Sequence, residues 1–297
     1  MYSNFKKVDF DYFSNSKSKL FMHFHNLKKL LNLITIFILF FSNDGFTQIK
    51  LTADGEGNTY ELINSVLISE NRTAVEVPDC NHKDFGRHIK EVFDKTLNKY
   101  VFEFIIHIKQ DKDRCKRFDR QRNEIKAHKR SSDIILATEG ETLNYKWKFK
   151  LEKGFKASSR HTNLHQITYR LTETNEPLFA FMARDKKEKR SFDIVYIDQD
   201  EQEILSSVKL AKITGKWIVA DETVTYGKNG SYAATLKTLE GKTILKVDKK
   251  NIQTWYETMV YARPKWGIYR SLKYAHKLRD EKVYFADFEI NDIKTNK

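Results

Sequence analysis

The stretch from Thr142 to Leu151 constrains this chain more than any other. Tyr145, Trp147, Phe149 and Leu151 fall at alternate positions, with Lys146, Lys148 and Lys150 between them. A period of two is that of a β-strand, whose successive side chains point to opposite faces. One face of this segment must be buried and the other is basic. A strand with one buried face needs a sheet around it and a second layer against it.

The remaining sequence predicts both. Tyr100 to Ile108 is rich in aromatic and β-branched residues, and Phe118 to Lys126 alternates in charge. His161 to Leu171, Leu178 to Arg184, Ser191 to Ile197 and Lys216 to Tyr226 follow as further strands. Ser231 to Thr238 and Thr243 to Val247 flank Glu240-Gly241, a hairpin signal. Pro264 to Arg270 and Val283 to Ile290 close the series. Asp54-Gly55-Glu56-Gly57-Asn58 marks a turn, and His88 to Phe93 is the one modestly helical stretch near it. About a dozen short strands with almost no helix predict an all-β fold: a concanavalin-like β-jelly roll of two antiparallel sheets, one with a concave groove for an extended chain. No internal repeat or Pro/Ser-rich linker divides the chain. Residues 48–297 are therefore expected to form one jelly-roll domain.

Residues 1–47 read as an N-terminal extension and signal peptide. Lys28 and Lys29 precede the apolar run Leu30 to Phe41, and Ser42 to Gln48 is small and polar. The run is short for a membrane span. Either Met1 or Met22 could be the start, and a tethered anchor is the alternative to cleavage. The expectation is export to the periplasm or exterior, with no stable membrane insertion after cleavage. Cys80 and Cys115 are the only two cysteines. In an oxidising compartment they could form a disulfide, or remain independent thiols. With no histidine read as their partner, they do not point to a zinc site. The net charge is +13, of which +10 lies beyond residue 47. Such a surface attracts polyanions. Nucleic acid is disfavoured by export and by the lack of a binding motif. That leaves an acidic polysaccharide as the expected partner of a monomer.

Three strands carry candidate chemistry. Arg120, Arg122, Glu124 and Lys126 share one strand face. The planar fork of arginine suits carboxylate or sulfate. His161, Asn163 and His165 share another face if the strand is regular, and then Gln166 points the other way. A histidine titrating near neutrality is a ready general base. Lys265, Gly267 and Tyr269 alternate on the third strand, as a cation, a gap and a phenol. Together these groups fit β-elimination at a uronic acid. That reaction removes the C5 proton beside a carboxylate and expels the oxygen at C4. The carboxylate must be neutralised, a base must take the proton, and an acid must protonate the leaving oxygen. Paired carboxylates at glycosidase spacing are missing, as are G-x-S-x-G, P-loop and H-E-x-x-H motifs.

These motifs, in this order, resemble the polysaccharide lyases of the heparin lyase I type. The residues that carry the resemblance are Asp119 to Lys126, Tyr145 to Phe149, Asn163-Leu164-His165-Gln166 and Arg263 to Arg270. It extends over roughly residues 50–293. Related jelly-roll alginate and glucuronan lyases carry R-x-E-x-R, Q-I-H and K-x-G-x-Y strands. Here Lys126 replaces the last arginine and Asn163 the glutamine, while Lys265-Trp266-Gly267-Ile268-Tyr269 matches without change. The resemblance implies a carbon–oxygen lyase acting on an acidic polysaccharide. Arg122 and Asn163 would neutralise the carboxylate, His165 would be the base, and Tyr269 the acid or combined acid and base. Arg120, Glu124, Lys126, Gln166, Lys265, Arg270 and Lys148 are the expected substrate-binding residues. Some relatives carry a structural calcium, for which Asp54, Glu61 and Asp287 offer hard oxygen ligands. The alternative function is a non-catalytic, lectin-like sandwich that binds acidic glycans. It would not need His165 and Tyr269 on one face.

Overall fold

The computed structural model describes residues 48–68, 72–186, 189–199 and 201–293. The expected signal segment, 1–47, lies outside the described residues. Among the described residues, fifteen strands form two antiparallel sheets. The first sheet runs β13 (Thr243–Ile252), β12 (Gly230–Thr238), β11 (Trp217–Thr225), β6 (Thr142–Leu151), β15 (Glu281–Asp292), β4 (Lys99–Ile106), β3 (Ile89–Asp94), with β1 (Gln48–Leu51) also on β15. The second runs β10 (Glu201–Lys209), β9 (Lys189–Asp198), β8 (Asn175–Lys186), β7 (Thr162–Arg170), β14 (Tyr261–Ser271), β5 (Arg120–Lys126), β2 (Val75–Glu76). This is the expected jelly-roll-like sandwich.

The alternation in β6 does what its pattern demands. Tyr145, Trp147, Phe149 and Leu151 are buried between the sheets. Trp147 meets Phe181 and Trp266 of the second sheet at ring-centroid distances of 5.3 and 6.0 Å, and Phe149 stacks on Phe192 at 5.7 Å. Burial of each such side chain contributes roughly 1.5–3 kcal/mol. The lysines between them face outward and pair with Asp221, Asp287 and Asp94.

One local expectation is corrected. His88 to Phe93 is not helical: β3 pairs with β4 from Ile89↔Phe104 to Asp94↔Lys99. Among the described residues the α-helix is α1 (Thr59–Leu67), which follows the Asp54–Asn58 turn and buries Thr59, Ile63 and Leu67, one face at a spacing of four. The chain crosses from one sheet to the other between β1 and β2, β2 and β3, β4 and β5, β5 and β6, β6 and β7, β10 and β11, β13 and β14, and β14 and β15. These crossings place β14 between β5 and β7, so three segments remote in sequence become neighbours. Cys80 and Cys115 form a disulfide, with Cα atoms 6.2 Å apart.

Candidate active site

A groove of about 660 Å³ lies on the outer face of the second sheet, over β5, β14, β7 and β8. On β5 the alternation holds. Arg120, Arg122 and Lys126 line the groove, and Gln121, Asn123 and Ile125 are buried behind it. Lys265 and Tyr269 line it from β14, in register with Lys126 and Arg122.

On β7 the alternation fails. β14 pairs Trp266 with His165 and Tyr269 with Asn163, so the register slips between them. A matching slip lies between Asn163 and His165 against β8. Such bulges invert the facing of every side chain beyond them. Asn163 and Gln166 both line the groove, while His165 is 1% exposed in the core. Its ring lies 4.4 Å from Trp147 and 5.4 Å from Trp266. Its Nδ1 lies 2.9 Å from the Lys265 carbonyl and its Nε2 2.7 Å from Glu222 Oε2. The expected base therefore sits on the opposite sheet face from Tyr269 and cannot reach a substrate in the groove.

Gly267 also has a different role from a gap for a ligand. A Cβ on it would lie 2.2 Å from the Asn123 carbonyl oxygen and 2.6 Å from Glu124 Cα, and its φ is +144°. Close approach of β5 requires the glycine.

The groove holds a different histidine, His161, just before β7. Its ring lies 5.0 Å from that of Tyr269, and its Nε2 has no hydrogen-bond partner. Burial, then the charges of Arg120 and Arg122, push its pKa down to about 4. At neutral pH it is an uncharged imidazole, the form a base requires. Beside it, Arg120 Nη1 donates to the Tyr269 oxygen at 2.7 Å, and the Arg122 guanidinium stacks 3.9 Å from the phenol ring. With the Tyr269 oxygen accepting from Arg120, its O–H is the group left to donate.

The amides form a relay. Gln166 Nε2 donates to Glu124 Oε1 at 2.8 Å, and Asn163 Nδ2 donates to Gln166 Oε1 at 2.9 Å. The ionised Glu124 accepts only, which fixes both amides and leaves one N–H on each for a ligand.

Beneath the cations lie acids the sequence did not single out. Glu76 binds Lys265 and Lys126 at 2.6 Å each and Arg114 at 2.9 Å. Burial pushes its pKa up, but Lys265, Lys126, Arg122 and Arg114 reverse this and hold it well below the usual carboxylate range. Arg122 binds Asp113 at 2.9 Å and also pairs with Glu124. Its guanidinium therefore supports Tyr269 as well as lining the groove. Met182 of β8 and Ile197 of β9 add apolar lining to the groove.

Other expected site residues lie elsewhere. Arg270 is fully buried and donates to Gln121 Oε1 at 2.7 Å and to the Arg279 carbonyl at 2.9 Å. It follows the groove-lining Tyr269 directly and lies on the opposite face of β14, so it does not face a ligand. Lys148 is on the first sheet and pairs with Asp287. Asp54, Glu61 and Asp287 do not converge on a calcium site. Glu61 forms a two-bond fork with Arg87 at 2.6 Å per bond, and Asp287 is held by Lys99 and Lys148.

No family model matches this sequence, and no curated protein matches it. Solved structures do. The alginate lyase Aly36B, in a mutant complex with an alginate trisaccharide, superimposes with TM-score 0.55 at 8% identity, covering 84% of this chain and 99% of that one. The polysaccharide lyase family 14 alginate lyase of Aplysia kurodai gives 0.52 at 12%, covering 83% and 100%. A family 7 alginate lyase bound to a tetrasaccharide gives 0.51 at 13%, covering 75% and 93%. The chain has the fold of these alginate lyases. Among the described residues, no helix is long and apolar enough to cross a membrane.

Proposed function

We propose that this chain is a polysaccharide lyase that cleaves a uronic-acid-containing polymer by β-elimination. The observation that carries this reading is the pairing of an uncharged, unpartnered His161 with Tyr269 in a cation-lined groove. The spare N–H groups of Asn163 and Gln166 receive the uronate carboxylate, with Arg122, Lys126 and Lys265 offsetting the charge that develops on it. His161 takes the C5 proton, the C–H electrons form the C4–C5 double bond, and the C4–oxygen bond breaks. Tyr269 donates its proton to the leaving oxygen, and solvent restores both groups. Met182 and Ile197 suit the C–H face of a neighbouring sugar. His161 here takes the role first expected of His165. The polymer is exported chemistry's counterpart, an extracellular acidic glycan, and the heparin lyase I resemblance makes heparin one candidate among several.

The test is a panel of heparin, alginate, glucuronan and hyaluronan, followed by ultraviolet absorbance of the unsaturated product. Wild type should turn over at least one. Tyr269→Phe should bind the same glycan while kcat falls by about 100-fold or more. Binding without turnover by wild type would leave the lectin-like reading in its place.

A further inference from the structure

A second cluster lies behind the groove, at the end of the β3–β4 hairpin. The chain enters β3 through His88 and leaves β4 through His107. One turn later the Asp111 amide bonds back to the His107 carbonyl at 3.1 Å, which brings residues four apart onto one side. The short 3-10 turn Asp79–Asn81 delivers His82 to the same point. His82 Nδ1 and His88 Nε2 each lie 3.1 Å from Asp111 Oδ1, and His107 Nδ1 lies 3.0 Å from Oδ2. The four ligand atoms all lie within 4.8 Å of one another, and His88 and Asp111 are fully buried.

Hydrogen-bond bookkeeping at His88 leaves a place for a cation. Asp79 accepts from Tyr60 at 2.9 Å and faces His88 Nδ1 at 2.7 Å. A carboxylate there requires Nδ1 to carry the proton. His88 Nε2 then faces the Asp111 carboxylate, and either a second ring proton or a metal ion must lie between them. Two further imidazole nitrogens meet the same carboxylate. Three nitrogens and one carboxylate oxygen are a zinc donor set. Bonds of about 2.0–2.1 Å in a tetrahedron place ligand atoms about 3.3 Å apart, close to the spacings from Asp111 found here. Asp79 behind His88 supplies the carboxylate–histidine arrangement that orients metal-bound imidazoles.

We propose that His82, His88, His107 and Asp111 form a structural zinc site. Protein atoms fill all four positions, so none is left open for a reacting water. The site also touches the groove's scaffold. Gln121 Nε2 donates to the carbonyls of His107 and Asp111 at 2.6 and 2.8 Å, and Asn123 Nδ2 to those of His88 and Ile105 at 2.9 and 2.8 Å. Both side chains project from the back of β5, whose front carries Arg120 and Arg122. Asp113, two residues beyond Asp111, holds Arg122. An ion here would fix the hairpin end on which β5 rests.

The test uses the full chain without a histidine tag. It is stripped with chelator, then titrated separately with zinc and calcium, with bound metal and Tm measured. One zinc per chain and a raised Tm are expected, with no response to calcium. Cobalt(II) should give the intense visible bands of a tetrahedral site. His82→Ala and His107→Ala remove half-buried ligands and should weaken zinc binding by more than 100-fold, and Asp79→Asn by about 10–100-fold. Stripped wild type that folds and takes up no zinc overturns the proposal, and His88 is then an imidazolium held between two aspartates. Zinc uptake unchanged in a His82→Ala/His107→Ala double variant, or calcium taken up in its place, overturns it equally. None of these readouts depends on lyase activity.

Discussion

At the scale of single residues, the two histidines of β7 and its approach divide the work between chemistry and structure. His161→Gln should lower kcat by about 100-fold and leave Tm nearly unchanged. His161 also makes acid stability distinctive. Its folded pKa of about 4 is depressed from an ordinary value of about 6.5. The stability linked to its neutral form is present above that ordinary value and is lost as pH falls toward 4. Denaturant melts at pH 7 and pH 5 should show wild type losing about 1–2 kcal/mol that His161→Gln does not lose. His165 should behave in the opposite way. Its Nδ1 faces a carbonyl and must carry a proton, so its contact with the buried Glu222 requires a second proton shared between them. Tyr232 donates to the other Glu222 oxygen at 2.7 Å. Glu222→Gln should cost about 3 kcal/mol and lower Tm, without a selective loss of kcat in the folded protein. Equal kcat losses in the two sets of variants would break this division.

At the scale of elements, the sequence was legible wherever the period of two ran unbroken. β6 begins and ends at Thr142 and Leu151 as its pattern predicts, and the outward face of β5 was read correctly. It failed where one bulge reset the count. Asn163-Leu164-His165-Gln166 carries no residue that announces a bulge. Its partner Gly267 announces one only once β5 is known to lie against it. The parity error put His165 in the groove and took Gln166 out of it. The same limit applies to Arg270, whose guanidinium finds its acceptors on Gln121 and on a remote loop. The lysines of β6 were basic and outward as expected, but on the sheet without the groove. Gly267→Ala tests the close contact directly. The added Cβ would collide with β5 backbone rather than with a movable side chain, and the φ is unfavourable for an L-residue. A loss of about 3 kcal/mol is expected, with reduced turnover because β5 and β14 jointly carry Arg122 and Tyr269. A variant as stable as wild type would mean that β5 can move away from β14 without cost.

At the scale of the whole molecule, the groove depends on a segment that belongs to neither sheet. Residues 107–119 connect β4 in one sheet to β5 in the other, and Arg114 and Arg117 from this crossing line the groove. Arg114 and Cys115 both have φ above +50°, an unfavourable conformation for side-chain-bearing residues. Cys115 is tied to Cys80 across a sequence separation of 35 residues. Closing a loop of that length removes unfolded-state entropy worth about 3–4 kcal/mol. The same bridge holds the crossing against the start of the β3–β4 hairpin, where it positions Asp113 under Arg122. Reduction, or paired Cys80→Ser and Cys115→Ser substitution, should therefore have two separable effects. Denaturant stability should fall by about 3 kcal/mol. At temperatures where the protein remains folded, KM for the glycan should rise more than kcat falls, because Arg114 and Arg117 are released while His161 and Tyr269 stay on their strands. A fall in kcat with KM unchanged would instead place the crossing's influence on the reacting groups themselves.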